Sequence, residues 1–431
     1  MKLLLALLGI LMTLNLSNCS SINTKINSTP LPLIRTEFEG SSSESGLIPS
    51  VIDTLTIEQA INLALENNPQ IKAAFLNIKA HEARATQASS LINPEFEFEI
   101  ESSDFTIGIG QVVELGNKRQ FRTQIANSKS RQVALEYEMM RLDLVTDIRE
   151  IYTRISTEQA RLNLLEKLLE ISERFNAKLD TLVKAGRFSS AERSRSEVEH
   201  QNLLLRRLQV ESSLRQKKQE LAATWGGTAE SVGGVIDLLD EPKRLPSRAT
   251  ILKALKTSPA IMLADLEMES REVETKYARS LRIPDPTFSA GLRRIQETND
   301  QVLVAGISIP IPILNRNKAG IEEAQFRHKQ SEELLNSENL QGLKKMNSLL
   351  ESLETLSLMT ETLSMTIIPA AESAYKTINQ NYKLGQYGLI DVIDSQRQLI
   401  DAQLQYLDTR LEYNNNIIQL EGLLGRSIKS L

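Results

Sequence analysis

The sequence predicts a mainly α fold with a small β part: a duplicated unit in which long antiparallel coiled-coil helices are joined to four short strands. Three observations carry that reading. Helix breakers are confined to a few junctions: the chain has 19 glycines and 13 prolines in 431 residues, yet no proline stands between Pro94 and Pro242, and Gly186 alone interrupts Gly116 to Gly226. Apolar residues inside the breaker-free stretches step by three and four. Short segments beside those stretches alternate with period two instead.

The order of motifs repeats. Asn68-Pro69-Gln70-Ile71 is matched by Ser258-Pro259-Ala260-Ile261, and Pro94-Glu95-Phe96 by Pro286-Thr287-Phe288. Lys184-Ala185-Gly186-Arg187-Phe188 is matched by Lys383-Leu384-Gly385-Gln386-Tyr387, and Leu221–Gly226 by Leu420–Gly425. The spacing grows in small steps, as short loop insertions produce, so the chain reads as a tandem duplication. A first repeat covers 51–226, a segment 227–246 joins the halves, and a second repeat with its C-terminal tail covers 247–431.

Each repeat opens with a helix, 56–91 and 248–281. Two strands follow, then two long helices. Nothing in 118–185 stops a helix, which at 1.5 Å per residue runs roughly 100 Å. Leu144, Ile148, Ile151, Ile155, Leu162, Leu165 and Leu169 follow heptad spacing, with Glu158 in one seam position, so this helix packs in a coiled coil. The second repeat does the same over 318–383, where Pro369 predicts a kink. Gly186 and Gly385 mark the turns between antiparallel helices. Ser189-Ser190-Ala191-Glu192 offers a capping box for the returning helix. Such a rod must pair with other copies or another coiled coil to bury its seams.

The strands are read at 94–101, 104–114, 286–294 and 301–312. Phe96, Phe98 and Ile100 share one face of the first; Glu95, Glu97, Glu99 and Glu101 share the other. The strand lengths suit an outer membrane, with water on the glutamate side and lipid on the apolar side. Four strands cannot close a barrel, and open edges are not tolerated in lipid. Closure needs several chains, and three copies would supply twelve strands around a water-filled bore. The competing reading is a soluble hairpin pair packed on the helices.

Composition sets limits. Net charge is −5, hydrophobic residues are 41% and charged residues 24%, which excludes wholesale disorder and a strongly basic nucleic-acid surface. One cysteine, Cys19, excludes an intramolecular disulfide and a thiolate cluster. His81, His200 and His328 are scattered, with no pair at ligand spacing, so neither a metal site nor a cofactor is expected. No nucleophile–base set or phosphate loop points to an enzyme.

Residues 1–18 carry Lys2 and an apolar run too short to span a membrane, as a signal peptide does. Leu16-Ser17-Asn18-Cys19 resembles the lipobox of bacterial lipoproteins, with Asn18 where a small residue is usual. That resemblance implies lipidation of Cys19, followed by a Ser-, Thr-, Asn- and Pro-rich tether over 19–50.

Over about 51–426 the chain resembles the TolC-like outer membrane efflux proteins. The resemblance rests on the opening LTIEQAINLALENNP, the duplicated plan and the two glycine turns. Gln111-Val-Val-Glu-Leu-Gly-Asn-Lys-Arg119 is similar to the strand-exit motif of the heavy-metal, CzcC-like branch, with Asn117 where a second glycine is usual. Ile309-Pro-Ile-Pro-Ile-Leu-Asn-Arg-Asn317 resembles its counterpart. The resemblance implies a homotrimer with a twelve-stranded barrel in the outer membrane of a Gram-negative-type bacterium and an α-barrel across the periplasm. It further implies a periplasmic adaptor and an inner-membrane pump of the resistance-nodulation-division type. Transition-metal cations are the cargo it suggests.

By the same resemblance Tyr382 stands at a gating position, and Asp391 and Asp394 match aspartates that ring the entrance. Glu192 stands where the family has an acidic partner, and Tyr387 replaces a family arginine. Asp391 also sits where it would offset a helix dipole, and Glu192 where it would cap a helix. The turns at Gly186, Arg187, Gly385 and Gln386 are expected to dock the adaptor, and Glu95, Glu97, Glu99 and Glu101 to line the bore. Two other readings stay open: the same duct serving drugs or secreted proteins, and a periplasmic coiled-coil adaptor or scaffold without a pore.

Overall fold

Residues 52–102, 104–186, 189–236, 245–382 and 384–431 are described in the computed structural model. The signal sequence, Cys19 and the tether lie outside them, as do 237–244 and, at the helical tips, Arg187, Phe188 and Lys383. In chain order the elements are β1 (Ile52–Leu55), α1 (Ile57–Asn67), α2 (Pro69–Ser89), β2 (Glu95–Glu101), β3 (Asp104–Val112), α3 (Lys118–Lys184), α4 (Ser190–Ala223), β4 (Val232–Val235), α5 (Arg248–Leu255), α6 (Pro259–Ser280), β5 (Thr287–Ile295), β6 (Asp300–Ser308), α7 (Lys318–Thr362), α8 (Ile368–Tyr382) and α9 (Leu389–Leu424). The order helix, helix, hairpin, long helix, returning helix occurs twice.

The opening helix expected over 56–91 is two helices. Pro69 disfavours helical geometry at the residue before it, and Asn68 is extended (φ −63°, ψ 121°). Asn68 then caps α2: its Oδ1 accepts from Gln70 N–H (2.9 Å) and Ile71 N–H (3.3 Å). Ser258-Pro259 divides α5 from α6 with the same extended backbone (φ −68°, ψ 152°) but without a side-chain cap. Proline at the first helical position starts a helix as readily as it ends one.

α3 runs unbroken for 67 residues. Its seam residues Ile148, Ile151, Ile155, Leu165 and Leu169 are buried, and Glu158 meets Arg161 at 2.8 Å. Where a kink is expected at Pro369, a π turn, Leu363–Ile367, lies between α7 and α8. Pro369 has no N–H to give the preceding turn, and the wider turn accommodates its ring.

Each repeat has its own apolar core about midway along the rod. In the first, β1 and α1 close over α3 and the end of α4, burying Leu55, Ile61, Val145, Ile148, Tyr152, Leu221 and Trp225. In the second, α5 closes over α7 and α9, burying Ile251, Leu255, Met346, Leu353, Tyr413 and Leu420. The segment 227–246 is more than a connector, because β4 lies in it and pairs in parallel with β1. Tyr152 fastens that pair: its hydroxyl donates to Leu55 O (2.8 Å) and accepts from Ile236 N–H (3.0 Å). Nearer the tips, Leu165, Leu169, Leu203 and Ile400 join α3, α4 and α9.

The remaining strands form one antiparallel sheet in the order β2-β3-β5-β6. No helix among the described residues is long and apolar enough to cross a membrane.

Candidate channel wall and entrance

The strand register carries the alternation of β2 across the whole sheet. Residues directly opposite share a face. Phe96, Ile109, Ala290 and Ala305 form one row, and Phe98, Ile107, Leu292 and Leu303 the next. On the other face Glu97, Gly108, Gly291 and Val304 form a row. The apolar face has no cover among the described residues: Phe96 is 71% exposed, Ile100 67% and Ile307 65%. An apolar face of that extent requires lipid or protein over it.

Glycine shapes the glutamate face. A Cβ on Gly291 would lie 2.6 Å from Ile107 O, and one on Gly110 would lie 2.5 Å from Glu97 Oε1. The bare backbone lets neighbouring strands approach closely and lets the Glu97 carboxylate lie over β3. Near the hairpin turns, Arg293 meets Glu101 at 2.7 Å and Asp104 at 3.3 Å. Glu95, Glu97 and Glu99 share that face and are exposed. Along the outer edges, β2 and β6 have no strand partner among the described residues.

Strand turns into helix at a built joint. Gly116 (φ 70°) and Asn117 (φ 61°) are both left-handed, which explains an asparagine where glycine is usual, since asparagine tolerates that geometry best after glycine. Lys118 is buried against Asp285 Oδ2 (2.7 Å). Arg122 forks onto Glu114 (2.5 and 3.1 Å) and donates to Ala88 O (2.9 Å) and Ser90 O (3.1 Å). The motif read as a branch marker is therefore also a weld between β3, α2 and the lead-in to β5. Sequence reading missed Asp285 and Arg122. The one signal for Asp285 was an acid held between two prolines, Pro284 and Pro286.

At the opposite end stand the glycines that follow α3 and α8. Gly385 (φ 76°) ends α8: its N–H donates to Tyr382 O, and Gln386 N–H donates to Asn381 O, both at 3.0 Å. This pairing requires a left-handed residue, the reason for glycine there. Nothing lies within 4 Å of a Cβ placed on Gly186 or Gly385, so crowding has no part in it. Gln386 and Tyr387 are exposed beside it.

Tyr382 packs its ring 6.1 Å from Phe175. Burial, and then the nearby Glu192 charge, push its phenol up to about 12. Glu192 also completes a capping box, accepting from Ser189 N–H (2.8 Å) and Ser189 Oγ (3.0 Å). One carboxylate thus caps α4 and faces the end of α8. Asp391 caps α9 by accepting from Gly388 N–H (2.8 Å). Asp394 is exposed one turn on, and its charge acts on Arg397. Arg397 Nε donates to Glu199 Oε2 at 3.0 Å, and that bond holds the guanidinium above its ordinary value. With Arg206 and Asp401 (3.5 Å) it ties α4 to α9. The structure therefore brings Tyr382 and Glu192 together, commits Asp391 to the start of α9 and sets Asp394 beside Arg397.

Among the described residues no three His, Asp or Glu side chains are grouped to hold a metal ion. His200 Nδ1 lies 3.2 Å from Ser172 Oγ, and His328 Nε2 lies 3.6 Å from Glu332.

A sheet apolar on one face and acidic on the other, set at the base of helical hairpins of this length, has the build of a channel wall. The chain belongs to the Outer membrane efflux protein family, which it matches over residues 60–227 and 250–426. That family consists of channel proteins of efflux systems rather than enzymes. The chain is 28% identical over 352 residues to the cobalt-zinc-cadmium resistance protein CzcC of Cupriavidus metallidurans, spanning 80% of this chain and 84% of that one. It is 26% identical over 300 residues to the nickel and cobalt resistance protein CnrC of the same organism, spanning 66% and 69%. Among solved structures it resembles the outer membrane protein VceC of Vibrio cholerae (TM-score 0.71, 17% identity, 86% of this chain and 96% of that one). It also resembles CusC (TM-score 0.74, 16% identity, 89% and 95%). These two likenesses concern the fold.

Proposed function

We propose that this chain is one third of a trimeric outer membrane duct that passes heavy-metal cations out of the cell. The observation that carries the duct is the two-faced sheet with both edges open. Such a sheet is stable in lipid only when closed on itself, and three copies close it with the glutamates inward. Resemblance to relatives named for cobalt, zinc, cadmium and nickel resistance supports the cargo.

In this reading residues 1–18 are a signal peptide, and lipidated Cys19 with its tether to residue 50 anchors the chain at the outer membrane. The repeats 51–226 and 247–431, around 227–246, build the wall, with their helices in the periplasm. The turns at Gly186, Arg187, Gly385 and Gln386 dock a periplasmic adaptor that connects to an inner-membrane pump of the resistance-nodulation-division type. Tyr382, Tyr387, Asp391, Asp394 and Glu192 form the entrance. Three copies bring six aspartates to one constriction, which attracts cations and repels anions. The duct itself consumes no nucleotide. Metal choice resides in the pump, in keeping with the lack of a grouped ligand set among the described residues.

The test is intracellular metal content in a deletion strain under graded Co, Zn, Cd, Ni, Cu and Ag challenge. Accumulation of one or two metals, reversed by complementation, is expected. Unchanged content for every metal contradicts the cargo and turns attention to drugs or secreted proteins.

A further inference from the structure

Two joints lead from strand to helix, and they are furnished unequally. At the first, the exit from β3 lies beside the lead-in to β5, Ile283-Pro284-Asp285-Pro286. Val113 N–H donates to Pro286 O (2.9 Å) and Leu115 N–H to Asp285 Oδ1 (2.8 Å). Lys118, the first residue of α3, is only 6% exposed, with its ammonium 2.7 Å from Asp285 Oδ2 and 2.5 Å from Ile283 O.

At the second joint α7 starts on the same pair of residues, Asn317-Lys318, and Asn317 (φ 53°) repeats the left-handed geometry of Asn117. Yet Lys318 is exposed and has no ion pair among the described residues. The exit before it carries Ile311 at 77%, Ile313 at 68% and Leu314 at 100% exposure. Among the described residues no lead-in lies beside this apolar strip.

The duplicate of the covering lead-in is Leu91-Ile92-Asn93-Pro94, ahead of β2. It belongs to one open edge of the sheet, whereas the bare exit continues the other open edge, β6. Two strands separate them within a chain, so they meet only between chains. Their charges suit each other: the exit bears exposed Arg316 and Lys318, and the lead-in runs directly into exposed Glu95.

We infer that the second joint is a split site, completed by residues 91–95 of a second copy, with Lys318 of one copy seated against Asn93 of the next. The inference rests on the trimeric reading and adds an asymmetry to it. Asn93 stands where the intact joint has Asp285, so the ammonium between copies meets an amide and not a carboxylate. A charge-assisted bond to a neutral partner is weaker than a paired charge. The joint between copies is therefore the separable one, and the joint within each chain holds.

The experiment uses the full-length protein in detergent, with mass followed by light scattering. Asn93→Cys combined with Lys318→Cys, mildly oxidised, is expected to give covalent dimers and trimers on a denaturing gel. Each single-cysteine variant gives none and controls for Cys19. Asn93→Asp is expected to raise the dissociation temperature of the trimer by several degrees, and Asn93→Lys to lower it. A trimeric mass with no cross-linked ladder and no shift in either variant overturns the split joint while leaving the trimer intact. A monomeric mass for the unmodified protein overturns the trimeric reading, and the split joint with it.

Discussion

Tyr382 shows how much of the tip's behaviour one environment sets. Its phenol is raised to about 12, by burial first and by Glu192 second, so it stays protonated through any physiological pH. An unfolded tyrosine ionises near 10. Between pH 10 and 12 the unfolded chain therefore binds fewer protons than the folded one, and stability falls as pH rises through that window. Tyr382→Phe is expected to remove this part of the alkaline loss, measured as the difference in melting temperature between pH 9 and pH 11. An identical loss in both proteins would assign it elsewhere. Tyr152 offers a plainer case in the first core. Its hydroxyl serves both Leu55 O and Ile236 N–H, so Tyr152→Phe leaves two backbone groups short of a partner and should cost about 1–3 kcal/mol by denaturant titration.

At the scale of elements, the strand-to-helix joint turns on backbone handedness. Asn117 at φ 61° is tolerated because its short polar side chain suits the left-handed region. Asn117→Gly should leave stability nearly unchanged, whereas Asn117→Val should lose about 1–2 kcal/mol, read by thermal melting. Most elements were legible in the sequence, for reasons that differ. β2 was clear because Glu95 to Glu101 alternates without exception, a pattern no helix uses. α3 was clear because nothing in 118–184 stops it. The break at Asn68-Pro69 was missed because proline at a first helical position leaves the apolar spacing of both helices intact. β4 was missed because Val232-Gly233-Gly234-Val235 is short and half glycine, and only its pairing with β1 makes it a strand. Among candidate functional residues, the glycine turns and the Ser189–Glu192 box could be read locally. The Lys118–Asp285 weld could not, because its partners lie in different repeats and no local pattern links them.

For the whole molecule, the decisive property is that a single chain is unfinished. Among the described residues its sheet has two open edges and an uncovered apolar face, and its rods carry cores at mid-length and nearer the tips. In the proposed duct, trimeric closure in a membrane satisfies the edges and the apolar face together, with the acidic face turned inward, and the adaptor meets the tips. Ion conduction across planar bilayers by the purified protein tests that account most directly, with Asp391→Ala/Asp394→Ala alongside. The account predicts discrete conductance steps, a reversal potential that favours cations over anions, and a shift of that potential toward zero in the double variant. Membrane-inserted protein that passes no discrete current, in either form, would contradict it.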